Sequence, residues 1–352
     1  TLNGSTWLDR TNYYETVPSN QLALALWLEA DRMGRLLPAM TQEKLDTQRD
    51  VVKNERRWSV DNQPYGTWWE KLPALAYPSS HPFHHSLIGS MEHLSEATLE
   101  DVAEFFSTYY TPDNAVLSIV GDVESDEAHR LVEQHFGSIA RGAKRPPLRD
   151  MTLPTTFGEW KRDVVPDDVM VPRLFLAIRI PTFGSETHYA LSTAGAILGS
   201  GKGSRLYRRL VREKQLATDV NTFTFDLAKG SDLLIIDATA RPGVSGEALE
   251  DAIGRELDAL CENGVTAKDV ERAQALITTD FVSSLQSAQS RADKLSQFAT
   301  YLGDPALVNQ ELGRYQRITH DQICAAARAY LGKDNRASLL YVPRDGQSAE
   351  VA

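Results

Sequence analysis

No apolar run in this sequence approaches the roughly 20 residues that cross a bilayer as a helix, so no membrane span is expected. Cations are in deficit: 37 Lys and Arg stand against 48 Asp and Glu, for a net charge of −11. Nucleic acid and anionic membrane surfaces both need a positive face, which argues against either as a partner. Only two cysteines, Cys261 and Cys324, occur among 352 residues. They read as a pair or as two buried thiols, and they do not fix a redox compartment. There is no G-x-S-x-G, and neither cysteine sits in an electropositive turn, so no Ser-His-Asp or Cys-His arrangement can be argued. Initiator Met and signal peptide are both missing. The chain opens on TLNGSTWLDRTNYYETV, with Thr, Trp and Tyr at strand positions. An opening strand with nothing before it to cover it gives the expectation of a fragment, or of a chain whose beginning was removed.

What is there suits one large or two ordinary globular domains, at 42% hydrophobic and 24% charged residues. Leu22, Leu26, Ala30, Met33 and Leu37 recur at helical spacing before Pro38, and a second helix is expected over Glu43–Arg57. Residues 62–95 are rich in Pro, Gly, Ser and His and read as short helices and loops. A helix follows Ser95, then a compact buried strand, NAVLSIVG, over 114–121, then a helix over 125–136. The Pro- and Arg-rich passage 141–153 reads as an interdomain linker. Strands are expected at 174–180, 217–225, 232–240 and 337–342. Helices are expected at 188–198, 204–214, 246–263, 266–302 and 319–331. Both halves run strand, helices, strands, helices, which suggests two α+β domains and not a doubly wound parallel sheet.

Two stretches invite a site reading and fail it. GSGKGSRLYRRL lacks the P-loop order and the dinucleotide fingerprint, so a turn capping the next helix is the better account. His81, His84 and His85 lie in a Pro-rich loop without an acidic residue in the motif, and exposed loop histidines are expected there. Glu55 is different. Leu45, Val52 and Glu55 share a helix face at spacings of seven and three, so Glu55 projects from the apolar side. A carboxylate there is costly to bury unless paired, hydrogen-bonded or bound to a metal. On residue types alone, a helix-edge glutamate paired with Arg56 or Arg57 is the favoured account.

The text around Glu55 changes that balance. LNGSTWLDRTNYYETVP, LALALWLEADRM and QRDVVKNERR resemble the N-terminal domain of the M16 (pitrilysin/insulinase-type) zinc metallopeptidases, bacterial members in particular. ILGSGKGSRLYRRLVREKQLATDV resembles the segment that opens the family's second domain. The resemblance implies an α+β chain of two similar α/β-sandwich domains (LuxS/MPP-like), a zinc-site domain over 1–145, a linker over 146–158 and a second domain over 159–352. It implies that Glu55 is the distal zinc ligand. Gln48 stands where many relatives carry a supporting Glu. Asn3, Gly4 and Ser5 match an edge strand that takes substrate backbone by strand addition, and Arg212 matches an arginine that contacts substrate.

Three departures accompany the resemblance. The inverted H-x-x-E-H motif, with two zinc histidines and the general base, is absent and is expected just before Thr1. Gln48 is neutral where relatives are acidic. Ala217-Thr218 stands where a tyrosine often pairs with the second-domain arginine. The expectation is a zinc endopeptidase of unstructured peptides in its parent form, with this chain holding one ligand of three and inactive alone. A second M16 half, as dimer partner or tandem repeat, is implied, and a cell-envelope location follows from bacterial relatives. The alternatives are a non-catalytic M16-like subunit and a peptide-binding module that uses only the edge strand.

Overall fold

The computed structural model describes residues 1–344. In chain order it runs β1 (Leu2–Thr6), β2 (Thr11–Glu15), α1 (Leu22–Ala39), α2 (Gln42–Arg56), α3 (Trp68–Ala76), α4 (Met91–Glu96), α5 (Leu99–Tyr109) and α6 (Ser125–Phe136). Then come β3 (Lys161–Asp167), β4 (Arg173–Ile180), α7 (Glu186–Gly199), β5 (Ala217–Thr224) and β6 (Asp232–Ala240). The described chain closes with α8 (Gly246–Asn263), α9 (Ala267–Ser284), α10 (Ala288–Leu302), α11 (Val308–Arg317), α12 (His320–Tyr330) and β7 (Arg336–Pro343). Helices and mixed sheet together make an α/β fold. Two compact units form, each discontinuous in sequence. One gathers Thr1–Arg57, Ile88–Arg149 and Val282–Asn309; the other gathers Trp58–Leu87, Asp150–Phe281 and the chain from Gln310.

In the second unit, five strands lie in the order β3-β7-β4-β6-β5. Only the β3–β7 pair is parallel. Both faces are covered, which is why β4 reads as a near-continuous apolar run. Alternation sorts it: Leu174, Leu176, Ile178 and Ile180 join one core with α7, α8 and α12. On the other face Trp68 of α3 stacks on Phe175 with centroids 4.6 Å apart. Arg179 lies on that face too, and is only 4% exposed. Its guanidinium donates to the Ala76 carbonyl at 2.6 Å, and at 3.3–3.4 Å to those of Thr156 and Pro154. Ala76 ends α3, where unpaired carbonyls and the helix dipole both favour a cation.

α7 rides directly on β5. Thr222 Oγ1 donates to the Gly195 carbonyl at 2.7 Å, and a Cβ built on Gly199 would stand 2.4 Å from Thr222 Cγ2 and 2.9 Å from its backbone nitrogen. Gly199→Val should therefore push helix and sheet apart and destabilise this unit by about 1–3 kcal/mol, measured by urea unfolding. The C-terminal carbonyls of α7 are taken up by Arg272, which donates to Ala196, Ile197 and Ser200 at 3.0–3.2 Å. The glycine stretch after α7 is thus a helix end closed by an arginine. Its sequel is a π-helical turn over Tyr207–Glu213.

Several segments depart from expectation. The 114–121 stretch forms no strand, and Val116 and Leu117 are exposed. An extended apolar segment becomes a strand only with a neighbour to bond to, and the only described sheet in the first unit is the β1–β2 hairpin. The helix expected over 266–302 breaks after Ser284, where Ser287 caps α10. His81 is buried, not exposed: it stacks on Tyr77 at 5.0 Å, and burial lowers its pKa. The passage 141–153 is tied at its start, since Asp113 accepts from Gly142 N at 3.2 Å and from Arg145 Nη1 at 2.9 Å. Cys261 and Cys324 are free thiols.

Asp113 also accepts from Thr111 Oγ1, and these donors, Thr111 first, hold its carboxyl down at about 2. A depressed folded pKa stabilises above the ordinary value of 3.8 and is lost as pH falls toward about 2. Carboxyl NMR should find that midpoint. Asp113→Ala should make 141–149 a preferred cleavage site for added protease.

Candidate functional site

α2 is started by Thr41, whose side chain accepts from Lys44 N, and by Glu43 in the first turn. Two arginines fasten it. Arg49 donates to the Leu94 and Ala97 carbonyls at 2.8 and 2.6 Å, and Arg56, two turns on, donates to the Gly89 carbonyl at 2.7 Å. Gln48 and Glu55 each precede one of these arginines, so about 100° of rotation carries both off the fastened side. Both are exposed. The reading of Glu55 as projecting from the apolar side needs correcting. Leu45 is buried and Val52 half-buried, but three residues beyond Val52 falls about 60° short of a full turn. That rotation moves Glu55 from the apolar stripe to solvent, on a rigidly held helix.

β1 carries Asn3, Gly4 and Ser5, and all five of its residues are exposed. It pairs antiparallel with β2, Gly4 opposite Tyr13, and with no other described strand. β2 is the anchored member. Asn12 Nδ2 donates to Asp293 at 2.7 Å, Arg32 lies 3.6 Å over the Tyr13 ring, and Tyr13 OH meets Tyr110 OH. Burial, helped by Tyr110, pushes the Tyr13 hydroxyl up to about 12. A docked inner strand with an exposed outer one leaves the outer edge of β1 able to accept another strand.

Arg212 lies in the other unit, exposed near the end of the π-helical turn. Its guanidinium is 5.7 Å from the centroid of the Tyr207 ring, so a tyrosine does accompany it, from the same turn and not from 217–218.

A cluster that the sequence did not reveal lies where the β4–α7 and β5–β6 connections meet. His188, in the first turn of α7, is fully buried. Its Nε2 is 3.5 Å from Asp226 Oδ1 and its Nδ1 is 3.4 Å from Asp232 Oδ2. Burial opposes charge on the ring, but the two carboxylates outweigh it and raise its pKa; burial raises that of Asp232 to about 8. These three are the only described group of His, Cys, Asp or Glu gathered at metal-ligand spacing. Glu55 belongs to no such group. At the Glu55 site the described residues therefore offer one candidate ligand where a catalytic zinc needs three, and they do not complete that site on their own.

The "Peptidase M16 inactive domain" description matches residues 96–277. Zinc protease PqqE of Helicobacter pylori is 33% identical over 316 residues, spanning 90% of this chain and 69% of that protein. The chain belongs to the M16 peptidase family. An uncharacterized zinc protease of Mycobacterium leprae is 28% identical, spanning 96% of this M16 chain and 75% of its own length. The structure of a protease from Helicobacter pylori matches with a TM-score of 0.90 at 28% identity, over 97% of this chain and 82% of that one. The M16 inactive domain of Pseudomonas fluorescens shares the fold, with a TM-score of 0.84 at 19% identity over 98% of this chain and 81% of that one. Glu55 lies outside residues 96–277, so the match does not bear on it.

Proposed function

We propose that this M16 chain is the greater part of one half of a zinc endopeptidase acting on unstructured peptides. The observation that carries the reading is Glu55, held toward solvent on a helix fastened by Arg49 and Arg56, in a chain whose relatives are named zinc proteases. In the parent protein, an H-x-x-E-H segment outside residues 1–352 would provide the other two ligands and the base. Gln48 would steady the metal side of α2, β1 would hold substrate backbone by strand addition, and Arg212 would reach substrate side chains or carbonyls. No catalytic step is assigned to the 352-residue chain by itself. A second M16 half would complete the enclosure, as dimer partner or tandem repeat, in the cell envelope.

The test is made on the parent protein. It should carry about one zinc per chain and hydrolyse an unfolded peptide, with both lost on chelation and restored by zinc. A parent with neither zinc nor hydrolysis would favour the non-catalytic subunit.

A further inference from the structure

We infer that His188, Asp226 and Asp232 form a second cation site, separate from Glu55, which takes a divalent transition metal such as Zn2+ or Mn2+. The argument begins with how the three side chains are held. Ser185 caps α7 by accepting from His188 N at 3.2 Å, which places the imidazole inside the first turn. Asp232 opens β6, and its two oxygens accept from Asp226 N at 3.1 Å and Leu233 N at 2.7 Å. Each carboxylate oxygen has a second lone pair, so those bonds orient Asp232 without exhausting it. Asp226 sits at a left-handed φ of 57°, and Thr224 Oγ1 donates to its Oδ1 at 2.6 Å. Outer hydrogen bonds of this kind set the direction of metal-binding carboxylates.

The second observation concerns the ring itself. Neither nitrogen of the buried His188 has a hydrogen-bond partner. An imidazolium bridging two carboxylates would donate from both nitrogens in line, whereas here the Asp226 and Asp232 oxygens lie 3.5 Å from Nε2 and 3.4 Å from Nδ1 without forming a hydrogen bond. Asp226 and Asp232 face opposite nitrogens of the ring, and an imidazole gives one ion a single nitrogen, so one of the two carboxylates must turn toward the other's side of the ring for the site to close. One ligand atom from each residue lies within 4.8 Å of the others, and Asp226, whose side chain is 43% exposed, is the one with room to close inward.

Charge points the same way. Two carboxylates and a neutral imidazole neutralise a divalent cation, and no Lys or Arg pairs with either aspartate among the described residues. Mixed imidazole and carboxylate donors suit Zn2+ and Mn2+ better than the all-oxygen preference of Ca2+. A bound ion would tie the β5–β6 connection to the start of α7, a structural role independent of peptide hydrolysis.

The experiment uses the 352-residue chain, stripped with chelator and titrated with Zn2+ and with Mn2+ by calorimetry, with bound metal counted after gel filtration. One equivalent of either metal, with a rise of several degrees in Tm, is expected. Asp226→Asn, at a half-exposed loop position that should fold, should weaken binding at least about 10-fold. His188→Gln should abolish it, and Glu55→Gln should leave it unchanged. No uptake of either metal, or uptake indifferent to Asp226→Asn and His188→Gln, overturns the site. Uptake lost with Glu55→Gln alone overturns it as well, and would locate the ion on α2.

Discussion

Glu55→Gln in the zinc-loaded parent protein should cost at least about 100-fold in zinc affinity, and peptide hydrolysis should fall with the metal. The substitution keeps the shape of the side chain and removes its charge. An amide oxygen is a poor replacement for a carboxylate at a transition metal. Since Arg49 and Arg56 fasten α2 through the backbone carbonyls of Gly89, Leu94 and Ala97, none of those anchors is touched. Tm measured without metal should therefore stay within about 0.5 kcal/mol of the parent value once converted, as for an ordinary surface change. The two readouts separate the hypotheses. A fall in metal-free stability with zinc retained would make Glu55 a structural residue of the helix edge and remove the reason for calling α2 a ligand helix.

The largest loss of stability is expected from Arg179→Met. Methionine keeps most of the length of the side chain beside Phe157, over whose ring the guanidinium lies at 4.4 Å. It donates nothing, so the carbonyls of Ala76, Pro154 and Thr156 lose their shared partner inside the fold. The partners are neutral carbonyls, so no charge is left behind, but each buried carbonyl orphaned by the change costs about 1–3 kcal/mol. Arg179→Lys should recover only part of this, because an ammonium cannot reach three carbonyls from one fork. Hydrogen exchange at the β4 and β6 amides is the right measurement, since a chain of two compact units need not unfold in one step. Unchanged protection in β4 would show that the three carbonyls find water instead.

How much of this could be read beforehand varies by segment. β6 and α8 have the expected limits, Asp232–Ala240 and Gly246–Asn263, because alternation or helical spacing is strong there and turn residues bound both. β3 was missed: at an edge its burial is broken, and its partner β7 lies far along the chain. Arg179 was invisible as an anchor, since within LFLAIRI it looks like the polar end of a strand. The family resemblance carried Glu55, Gln48, Asn3, Gly4, Ser5 and Arg212, and the structure puts each in an exposed position. Exposure agrees with those roles without testing them. His188, Asp226 and Asp232 come from three separate segments, and no local spacing joins them. Nor does sequence tell that residues 58–87 pack with the second unit.

The place of β7 between β3 and β4 has a consequence for synthesis. Until residues 336–343 leave the ribosome, β3 has no described neighbour and one edge of β4 stays open, with its apolar run only partly covered. Pairing across so long a stretch of chain is slow to form, and the half-built sheet is open to wrong partners meanwhile. A nascent chain arrested before β7 should thus be protease-sensitive throughout 161–180 and hold to chaperones, and should become resistant in that region once β7 is released.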